Sequence, residues 1–382
     1  MCHRFLADFP EIETIFLFGL DSSGRFCDPE SCPRCRGMSR FDQRDRLLRF
    51  LIKETGRTAL TTGWEWDRQS DEFLRRQAAL PVNSGVYLAA QKDGWQCERQ
   101  NHSFLRAVRQ VCRERGQTFI GYDNFHWGDD SVHGLADIQD FPLGIGAKLR
   151  RWQELDADGV FDHWGGFNEN IWSNSIACRE FFMNLNADMR IIADRQFGTA
   201  GPLVFQAWQE LEQAQAILSQ ACTWTPGQWP AWYGYRAKLG SIGNLATTQL
   251  PARDASNPPE FSAAARTVSE AWRAANPHYA AAAHRLRQAH ANAADLPVGY
   301  AHWYDGATIT CREHIAKQLL YVEAVGVSGR EIGMQFGYLA GQRDPDHAVA
   351  CRAAAAFFKQ LNQPNGWSAQ YEQKAQEIEQ CG

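Results

Sequence analysis

The chain has 382 residues, 44% of them hydrophobic and 22% charged, enough for one large domain and a smaller one with a core that needs no staples. A net charge of −5 lacks the basic excess of a nucleic-acid-binding protein, and no apolar run reaches membrane-spanning length, so neither nucleic acid nor membrane is expected as a partner. The amino-terminal run MCHRFLADFP carries no basic region followed by a long apolar stretch, which predicts a cytoplasmic chain.

Short apolar segments alternate with amphipathic ones over the first 200 residues. Strands are predicted at Ile15–Asp21, Thr58–Trp66, Gly85–Gln91, Thr118–Phe125 and Gly159–Trp164. Helices are predicted between and after them at 41–55, 70–79, 101–115, 143–155 and 173–183. This alternation is the signature of parallel β/α units with strands buried on both faces. Each strand has a mostly apolar body and carries its polar residues at the carboxyl end, where barrels and open α/β sheets place their chemistry. A complete (β/α)8 barrel needs eight strands, so the segments read as the last five units of an α/β barrel over residues 1–200. The alternative is an open, doubly wound five-stranded sheet. Residues 201–382 read as a mostly α-helical domain. Its helices are predicted at 201–220, 261–275, 277–293, 306–325, 328–341, 345–361 and 367–379, with an aromatic loop at 223–236.

Four carboxylates fall at strand ends: Asp21, Glu65, Asp123 and Asp162. Glu65 lies between Trp64 and Trp66, and apolar rings raise a carboxyl's proton affinity, which suits a general acid. Asp162 with His163 forms a candidate base and its hydrogen-bonding partner, and Asp123 a candidate second acid. Two acidic groups flanking a scissile bond are the usual apparatus of glycoside hydrolysis. Asn124, His126, Trp164, Asn168, Asn170, Trp172 and Asn174 are candidate hydroxyl-binding and stacking groups. Arg25, with Arg34 and Arg36, would pair with a substrate carboxylate in a bidentate fork. For each carboxylate alone the competing reading is a helix cap or salt bridge; their shared position favours function. Likewise the 14 Trp divide between core residues and sugar-stacking platforms. Trp224, Trp229, Trp232 and Tyr233 read as glue for the helical domain or as pocket walls.

Asp21 with the following Gly24 and Cys32-Pro33-x-Cys35, Trp64-Glu65-Trp66, and Phe161-Asp162-His163-Trp164-Gly165-Gly166 resemble in their order several glycoside-hydrolase barrels, including relatives of the family 20 hexosaminidases and the α-glucuronidases. The resemblance covers roughly residues 10–235. It implies an exo-acting hydrolase of a terminal sugar, acidic or N-acetylated. No predicted strand end carries the adjacent Asp-Glu pair that family 20 uses for substrate-assisted hydrolysis, so that chemistry does not carry over.

Cys27-x4-Cys32-x2-Cys35 has metal-like spacing, but a structural zinc site needs four ligands, and the fourth would have to come from a distant residue such as His3. An ordered loop with free thiols is the expectation, with zinc and a disulfide as alternatives. Cys112, Cys178, Cys311 and Cys351 fall in helical patterns as small buried residues. No cofactor and no metal is expected, and no phosphate-binding or dinucleotide fingerprint occurs. Two rival functions stand beside the glycosidase: a non-catalytic carbohydrate-binding or structural barrel remnant, and a metal-dependent hydrolase using Asp21, His126, Asp162 and His163. An incomplete barrel exposes two sheet edges, which favours a homo-oligomer.

Overall fold

The structure, a computed structural model, describes residues 2–17, 32–62, 71–89, 102–123, 142–162, 172–221, 259–296, 309–360 and 367–380. Contacts divide the chain into two compact units, Met1–Asp123 with Leu149–His163, and Asn124–Lys148 with Trp164–Gly382.

The first unit holds a five-stranded parallel sheet, built from β1 (Thr14–Leu17), β2 (Thr58–Thr62), β3 (Ser84–Ala89), β4 (Thr118–Asp123) and β5 (Gly159–Asp162). The strands pair in chain order, β1-β2-β3-β4-β5, and every pair is parallel. A doubly wound sheet reverses its strand order at a switch point. Among the described strands there is no such reversal, which removes the doubly wound alternative.

The two faces of the sheet are built differently. Val86, Leu88 and Phe119 pack with Phe41, Phe73, Leu105, Val108, Cys112 and Trp152 from the connecting helices α2 (Arg40–Thr55), α3 (Asp71–Ala78), α4 (His102–Arg115) and α5 (Pro142–Glu154). Gly121 lies under Trp152, and a side chain there would overlap the indole. The opposite face carries Leu60, Tyr87 and Tyr122 with Ile120 and Phe161. This period-2 division follows directly from the pleat. Rings on the second face touch across several strands: Tyr122 and Phe161 stack at 5.8 Å, and Phe16 of β1 stacks on Phe161 of β5 at 5.4 Å.

Helix α2 shows how local chemistry sets a boundary. Ser39 caps its start, accepting from the Asp42 amide while the Asp42 carboxylate accepts from the Ser39 amide. At the other end Gly56, at φ +65°, takes the left-handed turn that ends the helix one residue before β2 approaches.

The second unit is helical. It contains α6 (Trp172–Met183), α7 (Met189–Phe197), α8 (Gly201–Ala221), α9 (Pro259–Asn292), α10 (Cys311–Leu339), α11 (His347–Gln360) and α12 (Trp367–Gln380), after an amino-terminal helix α1 (Cys2–Asp8) in the first unit. The sequence reading puts the change of character near residue 200, whereas by contact α6 and α7 group with the helical unit. Two long helices replace two predicted pairs. Helix α9 runs unbroken through Pro277, held by buried Trp272, Ala275, Tyr279 and Ala282 on either side of it. Helix α10 runs unbroken through Gly326 and Gly329. These glycines, with Gly333 and Gly337, form a stripe on which α9 lies: Gly329 faces the Trp272 ring, Gly337 faces Ser269, and the Ser269 hydroxyl donates to the Gly333 carbonyl at 2.6 Å. The small residues serve close helix approach.

No described helix is long and apolar enough to cross a membrane. Cys112, Cys178, Cys311 and Cys351 are buried within helices, as the sequence suggests.

Candidate functional site

The carboxyl ends of the strands are the place to look, because parallel pairing in chain order brings all five to one edge of the sheet. The last paired row joins β4 to β5 and consists of Asp123 and Asp162 as register partners. The row before it pairs Tyr122 with Phe161, and the row before that Gly121 with Val160. Two of the four predicted acids therefore occupy adjacent backbone positions, on strands that neighbour each other at about 4.8 Å. Their side chains lie outside the described part, as does that of Trp172, which opens α6. Asp21, Arg25, Trp64, Glu65, Trp66, Asn124, His126, His163, Trp164, Asn168 and Asn170 lie outside the described residues, and so does the aromatic loop 223–236.

The rows just before these ends carry an aromatic face that the sequence reading did not single out; by the alternation of the pleat it is opposite to the face that positions 123 and 162 share with Gly121 and Val160. Tyr87 is 1% exposed, and its hydroxyl donates to the Leu17 carbonyl at 2.9 Å, tying β3 to the end of β1. Burial pushes the Tyr87 phenol well above its ordinary range, so it stays protonated and keeps this donor. The signal was present in the alternation Phe16, Leu60, Tyr87, Tyr122, Phe161 across successive strands. The predicted burial of both faces hid it.

Of the loop after β1, the turn 32–37 is described. Cys32 and Cys35 are half-buried, with the Cys35 amide donating to the Cys32 carbonyl at 3.0 Å. Arg34 and Arg36 are exposed there. Asn174, a further candidate for hydroxyl binding, is buried in α6 at 2% exposure.

A second polar cluster lies in the helical unit, and nothing in the sequence reading assembled it. Glu331 of α10 is fully buried, with His347 Nε2 at 3.0 Å, Lys374 Nζ at 2.5 Å and Cys351 Sγ at 3.9 Å, all from its Oε1. Burial alone would raise the Glu331 proton affinity. The Lys374 ammonium and the His347 hydrogen bond overcome it and hold the carboxyl below its ordinary range. Burial, reinforced by the Glu331 charge, pushes the Cys351 thiol far up, which makes it a poor nucleophile as it stands. Among the described residues, Glu331, His347 and Cys351 are the group whose ligating atoms converge, all within 4.8 Å of one another. The one sequence signal was the i, i+4 spacing of His347 and Cys351.

Comparison with known proteins finds no matching family, no matching curated protein and no matching solved structure.

Proposed function

We propose that the chain is a glycoside hydrolase built on a (β/α)8-type barrel, acting on a terminal sugar through two carboxylates. The observation that carries this reading is the Asp123–Asp162 register pair at the carboxyl end of a sheet whose strands run in unreversed order. Sequential parallel strands with helices on one face and a ring-lined opposite face are the construction of a barrel wall, and barrel enzymes work at that end of the strands. Neighbouring strands can hold two carboxyls at the spacing of about 5–10 Å that glycosidases use. Glu65, three residues beyond the end of β2, is the proposed general acid, Asp162 with His163 the nucleophile or base, and Asp123 the group that completes the pair with either. Trp64, Trp66, Trp164 and Trp172 would stack on the sugar, with Arg25, Asn124, His126 and Asn168 on its polar groups and Asp21 as a further acid. Sheet edges at β1 and β5 favour pairing with a second copy, and a homo-oligomer is part of the proposal.

The test is a screen of aryl glycosides of sialic acid, hexosamine and uronic acid with wild type, Glu65→Gln, Asp123→Asn and Asp162→Asn. Hydrolysis of one class is expected, falling by about 10²–10⁴-fold in kcat when the acid or its partner is removed. Binding without turnover would favour a sugar-binding protein over an enzyme. Turnover indifferent to all three substitutions would overturn the residue assignment.

A further inference from the structure

The cluster around Glu331 is built from three helices. His347 and Cys351 stand one turn apart on α11, Glu331 faces them from α10, and Lys374 reaches in from α12. All four are at most 2% exposed. Among the described residues, every neighbour crowds onto one carboxylate oxygen, Oε1, while Oε2 is buried with no hydrogen-bond partner. A charged oxygen sealed from water without a partner is costly, so an unpartnered one points to a group that would satisfy it. The donor set narrows what that group is. Imidazole nitrogen, thiol sulfur and carboxylate oxygen together suit a borderline-soft divalent ion, with bonds of about 2.0–2.3 Å that place ligand atoms well inside the observed 4.8 Å limit.

We propose that Glu331, His347 and Cys351 form a structural divalent-metal site of the zinc type, with the Lys374 amine as the fourth donor. The charges balance. Without a metal ion, the Glu331 carboxylate faces the Lys374 ammonium, and Cys351 keeps its thiol proton. Binding of a doubly charged ion releases the Cys351 thiol proton and one Lys374 ammonium proton to solvent. The site then holds a dication, a carboxylate and a thiolate, again with zero net charge. The interior therefore gains no uncompensated charge, the condition for burying an ion at all. The site would pin α10, α11 and α12 together. It is separate from the strand-end carboxylates, and its test is independent of any glycosidase activity.

The experiment uses the full chain, expressed with zinc in the medium and purified without chelator. Elemental analysis is expected to give one divalent ion per chain. Stripping with a chelator should lower the melting temperature, and added zinc should restore it. Titrating the stripped chain with cobalt(II) should produce a thiolate-to-cobalt charge-transfer band in the near ultraviolet. Cys351→Ser should abolish that band, while the Cys32→Ser/Cys35→Ser double variant keeps both the band and the ion. If Cys351→Ser does not fold, the wild type and the double variant decide the matter. Absence of a stoichiometric ion and of the cobalt band would overturn the proposal and leave Lys374 as the permanent counter-ion of Glu331. Loss of ion and band in the Cys32/Cys35 variant would overturn it too, by placing the metal in the other unit.

Discussion

Phe16 and Phe161 belong to the two outermost strands of the sheet, yet their rings stack at 5.4 Å with an interplanar angle of 27°. Five strands laid flat would hold β1 and β5 about 19 Å apart, at about 4.8 Å per step. The sheet must therefore curl tightly toward the ring-bearing face, and the rings fill the concavity they create. Phe161→Ala is expected to lower the unfolding free energy by about 2–4 kcal/mol in urea denaturation. Phe50→Ala, at a 56% exposed position on α2, is the control and should cost well under that. Equal costs would contradict the stacked interior.

The glycine stripe of α10 makes a sharper comparison within one helix. Gly329→Ala drives a methyl into the Trp272 ring and is expected to destabilise by about 1–3 kcal/mol through overpacking. At Gly326 the nearest atom to a new Cβ would be the Tyr279 Cβ, at an ordinary 3.5 Å. There the gain in helix propensity, up to about 1 kcal/mol, should leave Gly326→Ala neutral or more stable. Thermal or chemical denaturation of the two variants separates close packing from a mere helix-breaking role.

Asp42 joins the α2 cap to α3. The Arg76 hydrogen bond, followed by those from Ser39, lowers its carboxyl pKa to about 2. Because the folded value lies below the unfolded one of about 3.9, the stabilisation is complete above roughly pH 4 and is lost as pH falls through 2. The group is 42% exposed, so solvent screening holds its worth to about 1 kcal/mol or less. Wild type and Asp42→Asn should differ at neutral pH and converge near pH 2 in a stability-versus-pH series.

His314 gives a titration of the same sign, from a different cause, in the helical unit. It is 1% exposed against the edge of Phe197, and burial, aided by Lys317, lowers its pKa to about 3. Between that value and about 6.5 the unfolded chain binds a proton that the folded chain refuses. Its stabilising effect is thus full above 6.5 and declines as the solution is acidified, at up to about 1.4 kcal/mol per pH unit. His314→Phe should flatten that part of the stability curve, whatever it does to stability at pH 7.

If Asp123 and Asp162 act on one bond, their removal should not be additive. The Asp123→Asn/Asp162→Asn double variant is expected to be little slower than the worse single variant in aryl glycoside turnover. Independent losses that multiply would assign the two residues to separate tasks.

The strand bodies were legible from apolar runs alone, and all five strands begin within one residue of the predicted start. The winding was legible too, because alternating strands and helices admit few topologies. What misled were the punctuating residues. Pro277 and Gly326 look like helix ends in one dimension, but packing against α8 and α10 carries α9 through the proline, and α10 uses its glycines as a contact surface. The Glu331 cluster was illegible for a different reason. Its members come from three helices, and only His347 and Cys351 are close enough in sequence to suggest a shared helix face. The aromatic face was missed because both faces of these strands are apolar, so hydrophobicity alone does not separate them.

Pairing in unreversed chain order also bears on how the first unit is assembled. Each strand finds its partner in the segment made just before it, so a growing chain can add one β/α unit at a time to an existing edge. Loop closure then spans one β/α unit at each step, which favours stepwise folding during synthesis. The Phe16–Phe161 contact reaches furthest, since it joins the first strand to the fifth. Among the described ring pairs of the sheet it is the one that waits for the whole wall, and it should be the last to form.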